Sequence, residues 1–259
     1  MDRSLTKNKF RFRIYTRDVV DMVKWNKKFH YPKTSRTIID EKRHYLVGEE
    51  KLPSVTSILK ATESADKKAG LKTWREKVGS EVADKITKDA AHRGTTMHNI
   101  LEHYFEDKFI IDMTETGLHA MKMAKIIVDQ GLTGKLDELW CSEGTVFYPD
   151  MYAGATDGAG VYDGKEAIID FKQSNKPKKK EWITDYYLQL AAYAIAHNQI
   201  YGTNIQFGII LMCTKDFLYQ EFRVEGEEFK HYANEWWTRV GQYYREKKEF
   251  QDLIDRNGF

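Results

Sequence analysis

Apolar positions recur at helical spacing through the first half of the chain and alternate at strand spacing through much of the second. Trp74, Val78, Val82 and Ile86 fall every four residues and mark one apolar helix face. Arg93-Gly94 then interrupts the pattern, Thr95 or Thr96 can cap, and Met97, Ile100, Leu101 and Tyr104 form the stripe of a second helix. A third amphipathic segment spans about residues 114 to 130. Upstream, "RHYLVGEEKLPSVTSIL" reads as short strands and turns, with a helix starting near Ser54 or Thr56, both good caps. After Gly131 the period changes: "ELWCSEGTVFYP" and "DGAGVYDGKEAIIDFKQS" are strand-like. A helix from about Trp182 to His197 follows, then strands near "IQFGIILMC" and "LYQEFRV" and a closing helix from Glu227. The order predicts an α/β (α+β) plan, a mixed sheet sandwiched by helices.

Composition narrows this further. A chain of 259 residues with 41% hydrophobic and 13% aromatic residues buries a sizeable core. We found no repeat, low-complexity tract or linker and expect one domain over 1–259: N-terminal strands and turns to about 50, a helical block over about 57–130, a core over about 136–225 and a C-terminal helix from 226. The formal net charge is only +2, so a polyanion site has to be a local patch. Cys141 and Cys213 are too few for a disulfide framework or a four-cysteine metal site. No apolar run approaches the ~20 residues that span a bilayer, and "MDRSLTKNKFRFRIYTR" lacks a signal-peptide apolar region. The expectation is a soluble cytoplasmic protein, neither membrane-bound nor secreted, acting as a monomer.

The candidate chemistry begins at the Asp163-Gly164 turn, the strongest short-range hairpin signal in the chain. Counting outward pairs Tyr162 with Lys165, Val161 with Glu166 and finally Asp157 with Asp170. Opposed Cβ atoms lie roughly 4.5–5.5 Å apart, and like charges there repel. Lys172 shares the face of Asp170, while Ile169 and Phe171 point to the buried side. Two carboxylates and an ammonium on one open face are tolerated most simply by a divalent cation, whose charge cancels the repulsion. A lysine beside the ion can orient and deprotonate a water or stabilise developing phosphate charge. The plain alternative is an ordinary exposed charged face.

Two helices lower the weight of that alternative. His98 and Glu102 stack four residues apart in "RGTTMHNILEHYFE", and Gln189 and Tyr193 repeat the spacing in "YLQLAAYAIAHN". The order H-x-x-x-E, G-x-x-D at 154–157, D-F-K at 170–172 and Q-x-x-x-Y resembles RecB-type nucleases of the PD-(D/E)XK superfamily. Within them the chain looks most like the mitochondrial genome maintenance exonuclease group with its bacterial and phage relatives. "LPSVTSILKAT", "RGTTMH", "YAGATD", "DFKQSNKPKK" and "QLAAYAIAHN" carry the likeness, over about residues 45 to 225. The resemblance implies a restriction-endonuclease-like core and Mg²⁺ or Mn²⁺ held by His98, Asp157, Asp170 and the Phe171 carbonyl. It implies Lys172 as the catalytic lysine, with Asp157 and Asp170 as the catalytic acids. Gln189 and Tyr193 would brace the site or touch the substrate strand, and Arg93 and the Ser54–Thr56 turn would hold phosphates. Glu143 is an auxiliary acid and Glu102 a weaker candidate of the same kind. The four cysteines of iron–sulfur relatives are absent, which excludes that cluster.

For the substrate, Lys176, Lys178, Lys179 and Lys180 follow the active strand, with Trp182 next, a combination that neutralises phosphates and stacks bases of single-stranded nucleic acid. The expected partner is single-stranded DNA with a free end, in a bacterial or phage-infected cell. A structure-specific or duplex endonuclease with the same site, and a catalytically idle DNA-binding recombination module, remain as alternatives. Trp236, Trp237, Tyr243 and Tyr244 are read as core and lid packing in preference to a stacking platform, and His92, His103 and His197 have no identified partner.

Overall fold

The computed structural model describes residues 23–39, 41–108 and 112–246. The expected strands before residue 23 and the last part of the closing helix, after 246, lie outside the described residues. Three short strands, β1 (Ser35–Ile39), β2 (Lys42–Val47) and β3 (Glu50–Pro53), form an antiparallel sheet of order β1-β2-β3. The helices α1 (Val55–Ala61), α2 (Ala65–Val78), α3 (Ser80–Phe105) and α4 (Glu115–Ile127) follow. The central sheet, of order β4-β5-β6-β7-β8, holds β4 (Leu136–Tyr148), β5 (Tyr152–Tyr162), β6 (Lys165–Ser174), β7 (Phe207–Thr214) and β8 (Tyr219–Glu225). β6 and β7 run parallel, joined through α5 (Thr184–Tyr201), and the other neighbours are antiparallel. α6 (Gly226–Glu246) closes the described chain.

Both faces of this sheet are covered. Ile168, Ile210 and Met212 pack with α1, α5 and α6, whereas Ile169, Phe171, Ile209 and Leu211 pack with α4 and the C-terminal half of α3. Every residue of β7 is buried, as expected of a central strand with helices on each side. Trp236, Tyr243 and Tyr244 are core residues, with Trp237 packed against them. The mixed sheet flanked by helices is therefore the architecture that the pattern predicts.

The helical block departs from its expected breaks. α3 runs unbroken through Arg93-Gly94. A mid-helix glycine costs only about 1 kcal/mol, and here a Cβ on Gly94 would stand 3.2 Å from the Gln173 side chain, so a close approach to β6 favours the bare residue. The break falls instead at Gly79, whose φ of 86° and ψ of 143° suit glycine alone. Neither Thr95 nor Thr96 caps a helix. Ser54 does cap α1: its hydroxyl accepts the Ser57 N–H at 3.0 Å.

Candidate active site

The hairpin pairs as the count from Asp163-Gly164 requires, from Tyr162↔Lys165 to Gly158↔Ile169. There the ladder opens. Asp157 does not continue the backbone pairing; its Oδ2 accepts the Phe171 N–H at 2.7 Å, and its Oδ1 lies 3.3 Å from His98 Nδ1. One carboxylate thus ties the mouth of the fork between β5 and β6 to helix α3. Asp170 and Lys172 form an ion pair on β6.

Asp170 is not on an open face. It is 1% exposed, because α5 and its neighbours cover the side of the sheet that the hairpin alone would leave bare. Among the described residues its carboxylate is met by the Lys172 ammonium, which balances the charge. Burial pushes the Asp170 carboxyl up to about 6 against the pull of Lys172. Burial works in the same direction on Asp157, but His98 and Lys172 overcome it and hold that carboxyl below its ordinary value. Burial disfavours the charged forms of His98 and Lys172. Even so, Asp157 raises the first and Asp170 the second, so both gain affinity for a proton.

Glu143 joins this cluster more closely than its sequence position suggests. β4 and β5 pair Ser142↔Gly158 and Gly144↔Thr156, leaving Glu143 opposite Asp157. Its φ is 50°, a left-handed kink uncommon for a glutamate. Ligand atoms of His98, Glu143 and Asp157 all lie within 4.8 Å of one another. Burial first, and then the Asp157 charge, raises the Glu143 carboxyl. Two repelling carboxylates, one imidazole and the unsolvated oxygens of Asp170 are a donor set that fits a hard divalent cation. Asp170 stands outside the close trio, its carboxylate facing Lys172.

No family model matches the chain. Its sequence is 27% identical over 207 residues to the human mitochondrial genome maintenance exonuclease 1, across 76% of this chain and 59% of that protein. The Xenopus tropicalis protein of that name is also 27% identical, over 220 residues, 76% of this chain and 59% of its own length. The chain is similar to exonucleases. It spans about three fifths of the length of these relatives. A crystal structure of a putative exonuclease from Eubacterium rectale superposes with a TM-score of 0.45 at 14% identity, over 63% of this chain and 68% of that one.

The remaining predicted residues surround the cluster in different ways. Tyr193 is buried beneath β5, where a Cβ on Gly154 would stand 2.5 Å from its ring, so the glycine of "YAGATD" makes room for it. Gln189 donates to the Tyr193 hydroxyl at 3.0 Å. Both side chains sit on one turn of α5, and Tyr193 is 3% exposed. Arg93 is half-buried and donates to Gln173 Oε1 at 3.0 and 3.1 Å and to Asn175 Oδ1, fastening α3 to the end of β6. Ser54 is 2% exposed and occupied by its capping contacts with Thr56 and Ser57, whereas Thr56 is exposed. Glu102 lies one turn beyond His98, beside Glu143 along a groove. In the lysine loop, Lys176 and Lys179 are exposed, Lys178 donates its backbone N–H to Gln220, and Lys180 pairs with Glu228 at 2.7 Å. Lys179 stands 5.3 Å over the ring of Trp182, which is 60% exposed.

His197, without an identified partner in the sequence, is fully buried between Tyr31 and Thr203, each 2.8 Å from a ring nitrogen. It links α5 to the segment before β1. No local signal marks Tyr31, which lies 166 residues away, whereas Thr203 is a near neighbour in the chain.

Proposed function

We propose that this chain is a divalent-metal-dependent deoxyribonuclease of the exonuclease type, acting on single-stranded DNA from a free end. The observation that carries the reading is the convergence of His98, Glu143 and Asp157 on one point beside the Asp170–Lys172 pair. Its similarity to proteins named as exonucleases supports the same reaction class. His98, Asp157 and Glu143 would hold Mg²⁺ or Mn²⁺, with Asp170 and the Phe171 carbonyl reaching the ion from β6. A bound ion supplies Lewis acidity toward a phosphoryl oxygen and makes a coordinated water more acidic.

The chain's own groups then divide the work. Lys172 lies against Asp170, which raises its affinity for a proton despite burial. An ammonium cannot remove a proton; it can orient the attacking water and offset charge growing on the phosphate. Of the two roles the sequence leaves open for Lys172, we assign it the electrostatic one. Asp157 keeps His98 and the β5–β6 fork in register through its two oxygens. Lys176, Lys178 and Lys179 would take phosphates next to the exposed Trp182 ring, which would stack on a base.

The test is degradation of end-labelled linear single strands with Mg²⁺ or Mn²⁺, beside covalently closed circles and blunt duplex. Linear strands should be degraded, circles should resist, and EDTA should abolish activity. Lys172→Ala should lower turnover by on the order of 10²-fold or more, with DNA binding little changed. Full cleavage in EDTA removes the metal from the reading. Circles cut as fast as linear strands make the protein an endonuclease.

A further inference from the structure

A groove of about 1030 Å³ opens beside the candidate metal residues. Its floor is the kinked part of β4, and its outer wall is the segment running from Trp25 to Arg36. Glu143 and Glu102 line one end, so the groove is continuous with the cluster of His98, Glu143 and Asp157. Lys27, Lys33 and Arg36 line the wall, and all three are exposed. Trp25 is half-buried, held by a hydrogen bond from its indole N–H to the Phe105 carbonyl at 2.7 Å. Lys27 Nζ stands 5.2 Å from the centre of that ring.

Arg36 sits at the junction. Its guanidinium lies 3.6 Å from Glu143 and 5.6 Å over the Tyr45 ring, which fixes the charge where the groove meets the acids. Three cations, two carboxylates next to the candidate metal residues and several aromatic rings line the groove, a mixture that suits a polyanion with a single phosphate at the ion. The volume lies at the upper limit of the ~300–1,000 Å³ that encloses a drug-sized ligand. A segment of chain fits it better than one small molecule.

We infer that this groove is the track of the single strand next to the scissile phosphate, with Arg36, Lys33 and Lys27 on successive phosphates and Trp25 as a stacking surface for a base. The inference rests on the nuclease reading above and adds the path of the substrate. It places a second basic surface beside the site, apart from the loop at 176–180, so a bound strand touches the protein on both sides of the bond that breaks. Phosphate neutralisation supplies salt-dependent affinity, and one aromatic face adds a sequence-tolerant interaction.

The experiment measures binding and cleavage of a fluorescent linear oligonucleotide by wild type, Lys27→Ala/Lys33→Ala and Trp25→Leu, with binding read in a Lys172→Ala background. Each phosphate of a single strand left without its cation lowers the slope of log K against log salt by about 0.7. The double variant should therefore flatten the slope by about 1.4 and raise KM at least tenfold, with kcat within twofold and Tm unchanged. Trp25→Leu should lose ultraviolet cross-linking to a photoreactive base while keeping the salt slope. Wild-type slope and KM in the double variant, with normal cleavage by wild type, overturn the groove and leave the nuclease reading standing. A wild type that cleaves no strand with Mg²⁺ or Mn²⁺ overturns both.

Discussion

The two ends of α3 carry similar apolar stripes and meet opposite surroundings. At the C-terminal end, Met97, Ile100, Leu101 and Phe105 are buried against α4 and the sheet. At the N-terminal end, Val82 is 53% and Ile86 36% exposed, and only Ala83 is buried. The preceding α2 buries no residue at all. A helix of 26 residues is about 39 Å long, so α3 extends past the sheet that its other end covers. Periodicity therefore marks which face of a helix is apolar, and only the neighbouring elements decide whether that face meets a core. His98 lies on the packed end, where its position against Asp157 is held by buried neighbours.

The largest effect that would separate the two ends comes from cavity formation. Leu101→Ala should cost about 2–5 kcal/mol, read as a shift of the urea midpoint, because the deleted methyls leave a void among fully buried partners. A cost under about 1 kcal/mol would mean that this end is as loosely held as the other. Acid provides a second contrast, on the opposite side of the sheet. Burial, helped by Lys28, lowers His197 to about 4, against roughly 6.5 in an unfolded chain. Its contribution is present above pH 6.5 and is lost as the pH falls from 6.5 to 4, when the unfolded state takes up a proton that the folded state refuses. The loss is about 3 kcal/mol, read by denaturant titration across that range. His197→Gln should flatten that part of the profile.

Smaller effects belong to the open end. Gly79→Ala forces a side chain to φ of 86° and should cost on the order of 1–3 kcal/mol, seen as a lower Tm. Val82→Ala and Ile86→Ala should each stay within about 0.5 kcal/mol. Costs equal to that of Leu101→Ala would show that the stripe is covered in solution.

Much of the site was legible because it is local. A two-residue turn sets the count that puts Asp157 opposite Asp170, and strand alternation puts Lys172 beside Asp170; the observed pairing keeps that count up to Gly158↔Ile169. The spacing of Gln189 and Tyr193 placed both on one turn of α5. Glu143 was harder to weigh, since its approach to His98 depends on a left-handed backbone kink that no composition signal announces. The burial of Asp170 was missed for a different reason. A hairpin considered alone has a bare face, and the cover comes from α5, beyond the end of β6.

By itself the sequence determined the secondary structure that depends on neighbours in the chain: the hairpin turn and its register, the strand periods of the sheet and the cap at Ser54. It also determined which acids, imidazole and lysine were available for chemistry. Tertiary structure decided which of them meet. It set Gln173 against Gly94 of the unbroken α3, buried one apolar stripe of that helix and left the other in solvent, and brought Glu143 to His98. The physical reason is the range of the forces. Turn geometry and pleat are set within a few residues, whereas desolvation and charge pairing depend on groups that can be a hundred residues apart.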